Sequence, residues 1–131
     1  MFKWICLIKK KQGISRKEFI DYYENNHVPL VLHMFPEFKT ALTYRRNYIV
    51  FDDPVVAIEE REGVRDQANF DVMTEVIFAT REEANALLTA AFRKPDNAAI
   101  VQADEDHFIE RGNALMYVVE TYETEFAMPS A

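Results

Sequence analysis

Hydrophobic and polar positions alternate along the first residues of the chain and then change period. Phe2 to Lys9 is rich in aromatic and β-branched side chains and is short, which predicts a strand that stops at the lysine run Lys9-Lys10-Lys11 and Gly13. Ser15-Arg16-Lys17-Glu18 then reads as a capping box, with the Ser oxygen accepting from the Glu18 amide while the Glu18 carboxylate reaches back. After it, Phe19, Ile20, Tyr23, His27, Leu30 and Val31 fall on one helical face. Pro29 removes a backbone donor and pushes Val28 away from helical angles, so the helix is expected to kink or end close to His27. Lys39 to Phe51 returns to a two-residue period, with Leu42, Tyr44, Tyr48 and Val50 set against Thr43, Arg45 and Asn47.

Phe51 to Asn69 is acidic, carries Pro54 and Gly63, and reads as a long connection with a turn of helix. Phe70 to Phe78 predicts a third strand, with Phe70, Val72, Thr74, Val76 and Phe78 on one side. Thr80-Arg81-Glu82-Glu83 forms a second capping box before a helix whose apolar face is Ala84, Leu87, Leu88, Ala91 and Phe92, stopped by Pro95. A shorter helical piece from Asp96 to Ala103 follows, then the segment Asp104 to Ile109, and finally Asn113 to Thr121 as a fourth strand.

The order is strand, helix, strand, twice over. Two such halves in one domain spanning 1–131 predict an α+β, ferredoxin-like βαββαβ sandwich with helices on one face of the sheet. The other face is expected to be apolar, through Ile5, Leu7, Met73, Ile77, Met116 and Val118. An open apolar face of that size marks an interface, and sheet-to-sheet homodimerisation covers it.

Composition narrows the function. The 131 residues are 49% apolar, enough for a single core, and the net charge of −7 repels phosphate backbones, so neither nucleic acid nor an anionic membrane is expected as a partner. Cys6 is the sole cysteine, which excludes an internal disulfide and cysteine zinc sites. Three glycines cannot build a GxGxxG or P-loop cradle, and neither Ser15 nor Ser130 lies in a nucleophile-elbow context. Apolar runs do not exceed six residues, too short for a bilayer span or a signal-peptide core, and a cytoplasmic location is expected. With no nucleotide loop and no complete ligand set, no cofactor and no metal are expected.

Within this frame, Gly13-Ile14-Ser15-Arg16-Lys17-Glu18-Phe19, Tyr22-Tyr23 and His27-Val28-Pro29-Leu30, followed late in the chain by Asp104-Glu105-Asp106-His107-Phe108, resemble the EthD domain family of the dimeric α+β barrel superfamily. The resemblance runs over roughly residues 2–120, and its most specific part is the helix ending in His-x-Pro-Leu. It implies a homodimer whose two sheets form a barrel, with a pocket in each subunit between sheet and helices. Relatives of that architecture include cofactor-free monooxygenases, muconolactone-type isomerases and polyketide cyclases, dehydratases or decarboxylases.

His27, on an apolar helical face and at the family's histidine position, is the candidate general acid or base. A hydrogen-bonded structural histidine at the Pro29 kink is the alternative. Tyr23, one turn earlier, is its candidate catalytic partner. Trp4, Tyr44 and Tyr48 are candidates to line a pocket for a small hydrophobic or aromatic molecule, or else are simple core. Asp104-x-x-His107 has the spacing of a carboxylate–imidazole pair or of half a metal site, and reads most simply as a solvated acidic cap. Two functions follow. One is a small cofactor-independent enzyme of isomerase, lyase or monooxygenase type acting on an aromatic, lactone or polyketide-like molecule. The other is a non-catalytic dimeric barrel that binds a hydrophobic molecule or assists a partner enzyme.

Overall fold

The computed structural model describes residues 1–51, 53–57 and 70–127. Strand β1, Phe2–Ile8, is followed by a turn in which Gly13 takes φ +90°, a left-handed conformation that suits a residue without Cβ. Ser15 then caps helix α1, Arg16–Tyr22: its Oγ accepts from the Glu18 amide at 3.0 Å, and Glu18 Oε1 accepts from the Ser15 amide at 3.2 Å. The helix does not end at Pro29. It widens into a π-helical turn, Tyr23–His27, and resumes as α2, Val28–Met34, with Pro29 in its first turn. The Val28 amide reaches five residues back to the Tyr23 carbonyl, so the ladder slips just before the residue that has no N–H to donate. The expected kink is therefore an inserted wide turn, and it places Tyr23 and His27 together on the buried side.

A 3₁₀ turn, Pro36–Thr40, leads to β2, Thr43–Tyr48, shorter than the 39–51 alternation predicts; Leu42 and Val50 lie outside it and are exposed. Of the acidic connection, the short helix α3, Pro54–Ala57, matches the expected turn of helix, and 58–69 lie outside the described residues. Strand β3 is Val72–Phe78, with Val72, Thr74, Val76 and Phe78 buried as the alternation predicts. Helix α4, Arg81–Arg93, starts at Thr80, whose Oγ1 accepts from the Glu83 amide at 3.3 Å; only this half of the second capping box is made. Its buried residues are Ala84, Leu87 and Ala90; Leu88 is partly exposed and lines the cavity described below, and Phe92 is exposed. Pro95 opens helix α5, Pro95–Glu105, and β4, Leu115–Val119, completes the sheet.

The strand order is β2-β3-β1-β4 and every neighbouring pair is antiparallel. Each strand–helix–strand unit therefore skips over one strand of the other unit, which is the ferredoxin-like α+β arrangement. Two clusters hold the helices to the sheet. Trp4, Val76 and Phe78 meet Phe35, Ala84, Leu87 and Ala90 at one end, and Ile8 and Val72 meet Phe19, Tyr23, Phe108 and Ile109 at the other. Cys6 lies between them, against both.

Register corrects one expectation. Met116 pairs with Cys6 and Val118 with Trp4, so these two side chains share the helix-facing side, and Leu115 and Tyr117, paired with Leu7 and Ile5, are the ones on the open face. A strand's two faces alternate, and the run Leu115–Val119 is apolar at every position, so its sequence does not reveal which set points inward. Met116 and Val118 remain 62% and 63% exposed because the helices do not reach over this edge. Amid the open face, Glu75 is buried with Lys3 Nζ at 3.2 Å and Arg45 Nη1 at 3.1 Å from its carboxylate oxygens. Among the described residues, no helix is long and apolar enough to cross a membrane.

Candidate functional site

Between the two clusters the helices leave a cavity of about 400 Å³. Its floor is the sheet, through Trp4, Cys6, Thr74 and Val76; Tyr23, His27 and Phe35 come from the first helical unit, and Tyr44 comes from β2. Four of the five residues expected at a site are thus brought together: His27, Tyr23, Trp4 and Tyr44. Tyr48 stands behind, its ring edge-on to Tyr23 at 6.1 Å and its hydroxyl donating to Glu24 at 2.6 Å. The same Glu24 binds Arg46 through both oxygens, at 2.9 and 2.6 Å, and Arg46 lies over the Tyr44 ring. This network locks β2 onto the π turn and so fixes the wall that carries Tyr44.

His27 is 7% exposed and its ring is boxed by Tyr23, at 5.5 Å, and Phe108, at 4.9 Å. Its Nδ1 lies 2.9 Å from Asp104 Oδ2 at the end of α5. A carboxylate only accepts, so Nδ1 carries the proton and Nε2 of the neutral ring keeps its lone pair. The other Asp104 oxygen accepts from the Tyr22 hydroxyl at 2.6 Å. Loss of hydration first, and the Asp104 bond next, push the Tyr22 phenol up to about 12, so it stays a donor across the physiological range. Asp104 is thereby held by one side chain and orients another.

The spacing Asp104-x-x-His107, read most simply as a solvated acidic cap, also allowed a carboxylate–imidazole pair, which is not formed. Instead His107 is exposed, its Nδ1 lies 3.1 Å from the Ala103 carbonyl, and its ring stacks on Tyr22 at 5.7 Å. The pairing across 77 residues, His27 with Asp104, leaves no signal in local spacing. The hydrogen bond that His27 makes is to Asp104, across to α5.

Burial is the larger influence on His27 and lowers its pKa below 6.5, while Asp104 pulls in the opposite sense. The native state then binds the His27 proton less readily than the unfolded chain. Stability present above pH 6.5 is lost as the pH falls through the folded-state value. Thermal midpoints taken at about pH 8 and about pH 5 should fall further for the native protein than for His27→Gln. Equal falls in the two proteins would contradict this assignment.

The Tyr23 hydroxyl shares a hydrogen bond with Thr74 Oγ1 at 2.8 Å, and burial raises its pKa above the ordinary tyrosine value. Burial, and then Tyr23, push Tyr44 far up as well. Both phenols are neutral donors at any working pH. Burial, with Glu105 adding to it, lifts the Cys6 thiol to about 11, so it is a poor nucleophile. Among the described residues, no group of three or more His, Cys, Asp or Glu side chains is placed to hold a metal ion.

A ferredoxin-like α+β domain with a buried imidazole–carboxylate pair at an aromatic cavity is thus the class that fold and site define. Residues 11–112 match the EthD domain, and the chain belongs to that family. It is similar in structure to the Arabidopsis thaliana protein At3g17210, with a TM-score of 0.55 and 11% identity over 96% of this chain and 100% of that one. It is equally similar to an ethyl tert-butyl ether D (EthD) family protein of Bacillus halodurans, with a TM-score of 0.55 and 16% identity over 93% and 100% of the two chains. No curated protein matches the chain. These likenesses establish the fold and the family, and the chemistry has to be argued from the site.

Proposed function

We propose that the protein is a cofactor-independent acid–base catalyst that moves a proton on a flat, largely apolar small molecule of aromatic, lactone or polyketide type. The observation that carries this reading is His27: buried, lining the cavity, and tied through Nδ1 to Asp104. With Nδ1 so engaged, Nε2 acts as the base, and Asp104 stabilises the imidazolium that forms. The carbon acid best suited to such a base is a C–H beside a carbonyl. Trp4, Phe35 and Tyr44 supply flat apolar surface, and the Tyr23 and Tyr44 hydroxyls are donors for an oxygen that gains charge.

Deuterium exchange at the α-carbon of 2-tetralone in D₂O, followed by proton NMR, tests the reading without knowledge of the natural substrate. Exchange above the buffer rate that saturates with 2-tetralone is expected. Saturable binding with no exchange would instead identify a binding module.

The working unit in this proposal is a homodimer. Ile5, Leu7, Met73, Ile77, Leu115 and Tyr117 share the sheet face away from the helices, which no other part of the described chain covers. A second copy of that face removes it from water, burying on the order of 1,200–2,000 Å² in total. Light scattering at micromolar concentration should give twice the chain mass. A monomer would contradict the dimer and leave the cavity chemistry standing.

A further inference from the structure

We infer that Glu105 is the second proton-transfer group of the cavity, the acid that works with His27 on one bound carbonyl compound. The inference deepens the proposed function and rests on it. Glu105 lies at the end of α5, directly after Asp104, and consecutive helical residues point about 100° apart. Asp104 turns to His27 Nδ1, while Glu105 lines the cavity together with Gln102, one turn earlier on the same helix. Of the described residues on the cavity lining, Glu105 is the sole carboxyl group, His27 is the sole imidazole, and no lysine or arginine joins them.

A carboxyl group in such a place needs a reason. Its cation is Arg111, whose Nε is 4.0 Å from Glu105 Oε2, but Arg111 Nη1 sits closer to Asp106, at 3.2 Å. Arg111 is shared and only grazes Glu105, so an ion pair does not explain the residue. The groups facing Glu105 are Arg111, Asp104, Asp106 and Cys6. Burial raises its pKa above 4.5 and is the largest influence; Arg111 opposes it, and Asp106 and Asp104 add to it. His27 moves the other way, below 6.5. The two shifts run toward each other, which suits one base and one acid sharing a site.

The step balances without a co-reactant. His27 Nε2 takes a proton from the carbon beside the carbonyl, and the C–H electron pair becomes the new C=C bond. The C=O π pair moves onto oxygen, which takes the proton from Glu105. The products are an enol, a His27 imidazolium held by Asp104 and a Glu105 carboxylate. Return of a proton to carbon regenerates the starting forms, and return to a different carbon is an isomerisation.

Exchange of 2-tetralone in D₂O reads both residues. The rate should be bell-shaped in pH, rising as His27 loses its proton and falling as Glu105 loses its own. Glu105→Gln should lower exchange roughly 10²-fold and remove the alkaline fall, while 2-tetralone affinity stays the same. Arg111→Gln, which takes a positive charge away from the acid, should move the alkaline fall to higher pH. Glu105→Gln with the native rate and both limbs, in a protein where His27→Gln has lost exchange, would overturn the role of Glu105 and leave that of His27 intact. Absence of exchange in the native protein would overturn both. If Glu105→Gln does not fold, the Arg111→Gln profile decides, and an unmoved alkaline limb counts against the inference.

Discussion

His27→Gln should lower the 2-tetralone exchange rate by roughly 10²–10⁴-fold while leaving the protein folded. Glutamine retains an amide N–H that can still reach the Asp104 carboxylate, so the bond spanning helix and α5 survives in kind. What it cannot do is accept a proton near neutral pH. Asp104→Asn separates orientation from proton transfer. Its amide oxygen can accept from Nδ1 and its amine can face the Tyr22 oxygen, so both contacts persist as neutral bonds. The developing imidazolium then loses its counter-charge. Removing that charge lowers the His27 pKa further, so the acid limb of the rate profile should move to lower pH as the maximum rate drops. An Asp104→Asn protein with an unmoved acid limb would show that the carboxylate is merely structural.

Phe108→Ala is expected to be the most damaging core change near the site, costing about 3–5 kcal/mol. Phe108 is 1% exposed, and its ring touches those of Phe19, Tyr22, Tyr23 and His27, with centroids 4.9 to 5.9 Å away. It is the plug between the π turn and the segment that follows α5. Truncation leaves a cavity that a sheet and two helices cannot close, and it frees the His27 ring on one side. Against a total stability of about 5–15 kcal/mol, the loss is a large share and will show in a chemical denaturation midpoint. Phe108→Leu, which refills most of the volume, should recover most of it. A Phe108→Ala protein within about 1 kcal/mol of the native one would mean that Phe108 is not the keystone of this end.

The elements were legible because each was written in local terms. Ser15 with Glu18, the alternation of Val72, Thr74, Val76 and Phe78, and the stop at Pro95 all report on neighbours within a few residues. The π turn was half legible: Pro29 announced a disturbance near His27, but widening and ending carry the same sequence signature. The face of β4 was not legible, since an all-apolar run has no phase. At the site, His27 and Tyr23 were visible as one helical face, and Trp4 and Tyr44 as aromatic strand positions. Asp104 was visible as part of an acidic cap or as a possible partner for His107, because sequence spacing proposes neighbours along one helix and the true contact crosses between two. Glu105 was hidden in an acidic run, where a half-buried carboxyl at a cavity looks like any solvated one.

The proposed chemistry depends on the state of one imidazole. Nitrogen-15 NMR of the His27 side chain at neutral pH, assigned by its absence in His27→Gln, measures that state directly. A neutral ring with its proton on Nδ1 and a bare Nε2, whose resonance shifts when 2-tetralone is added, is the predicted result. A ring protonated on Nε2, or charged at neutral pH, would contradict the assignment of His27 as the base that Asp104 orients.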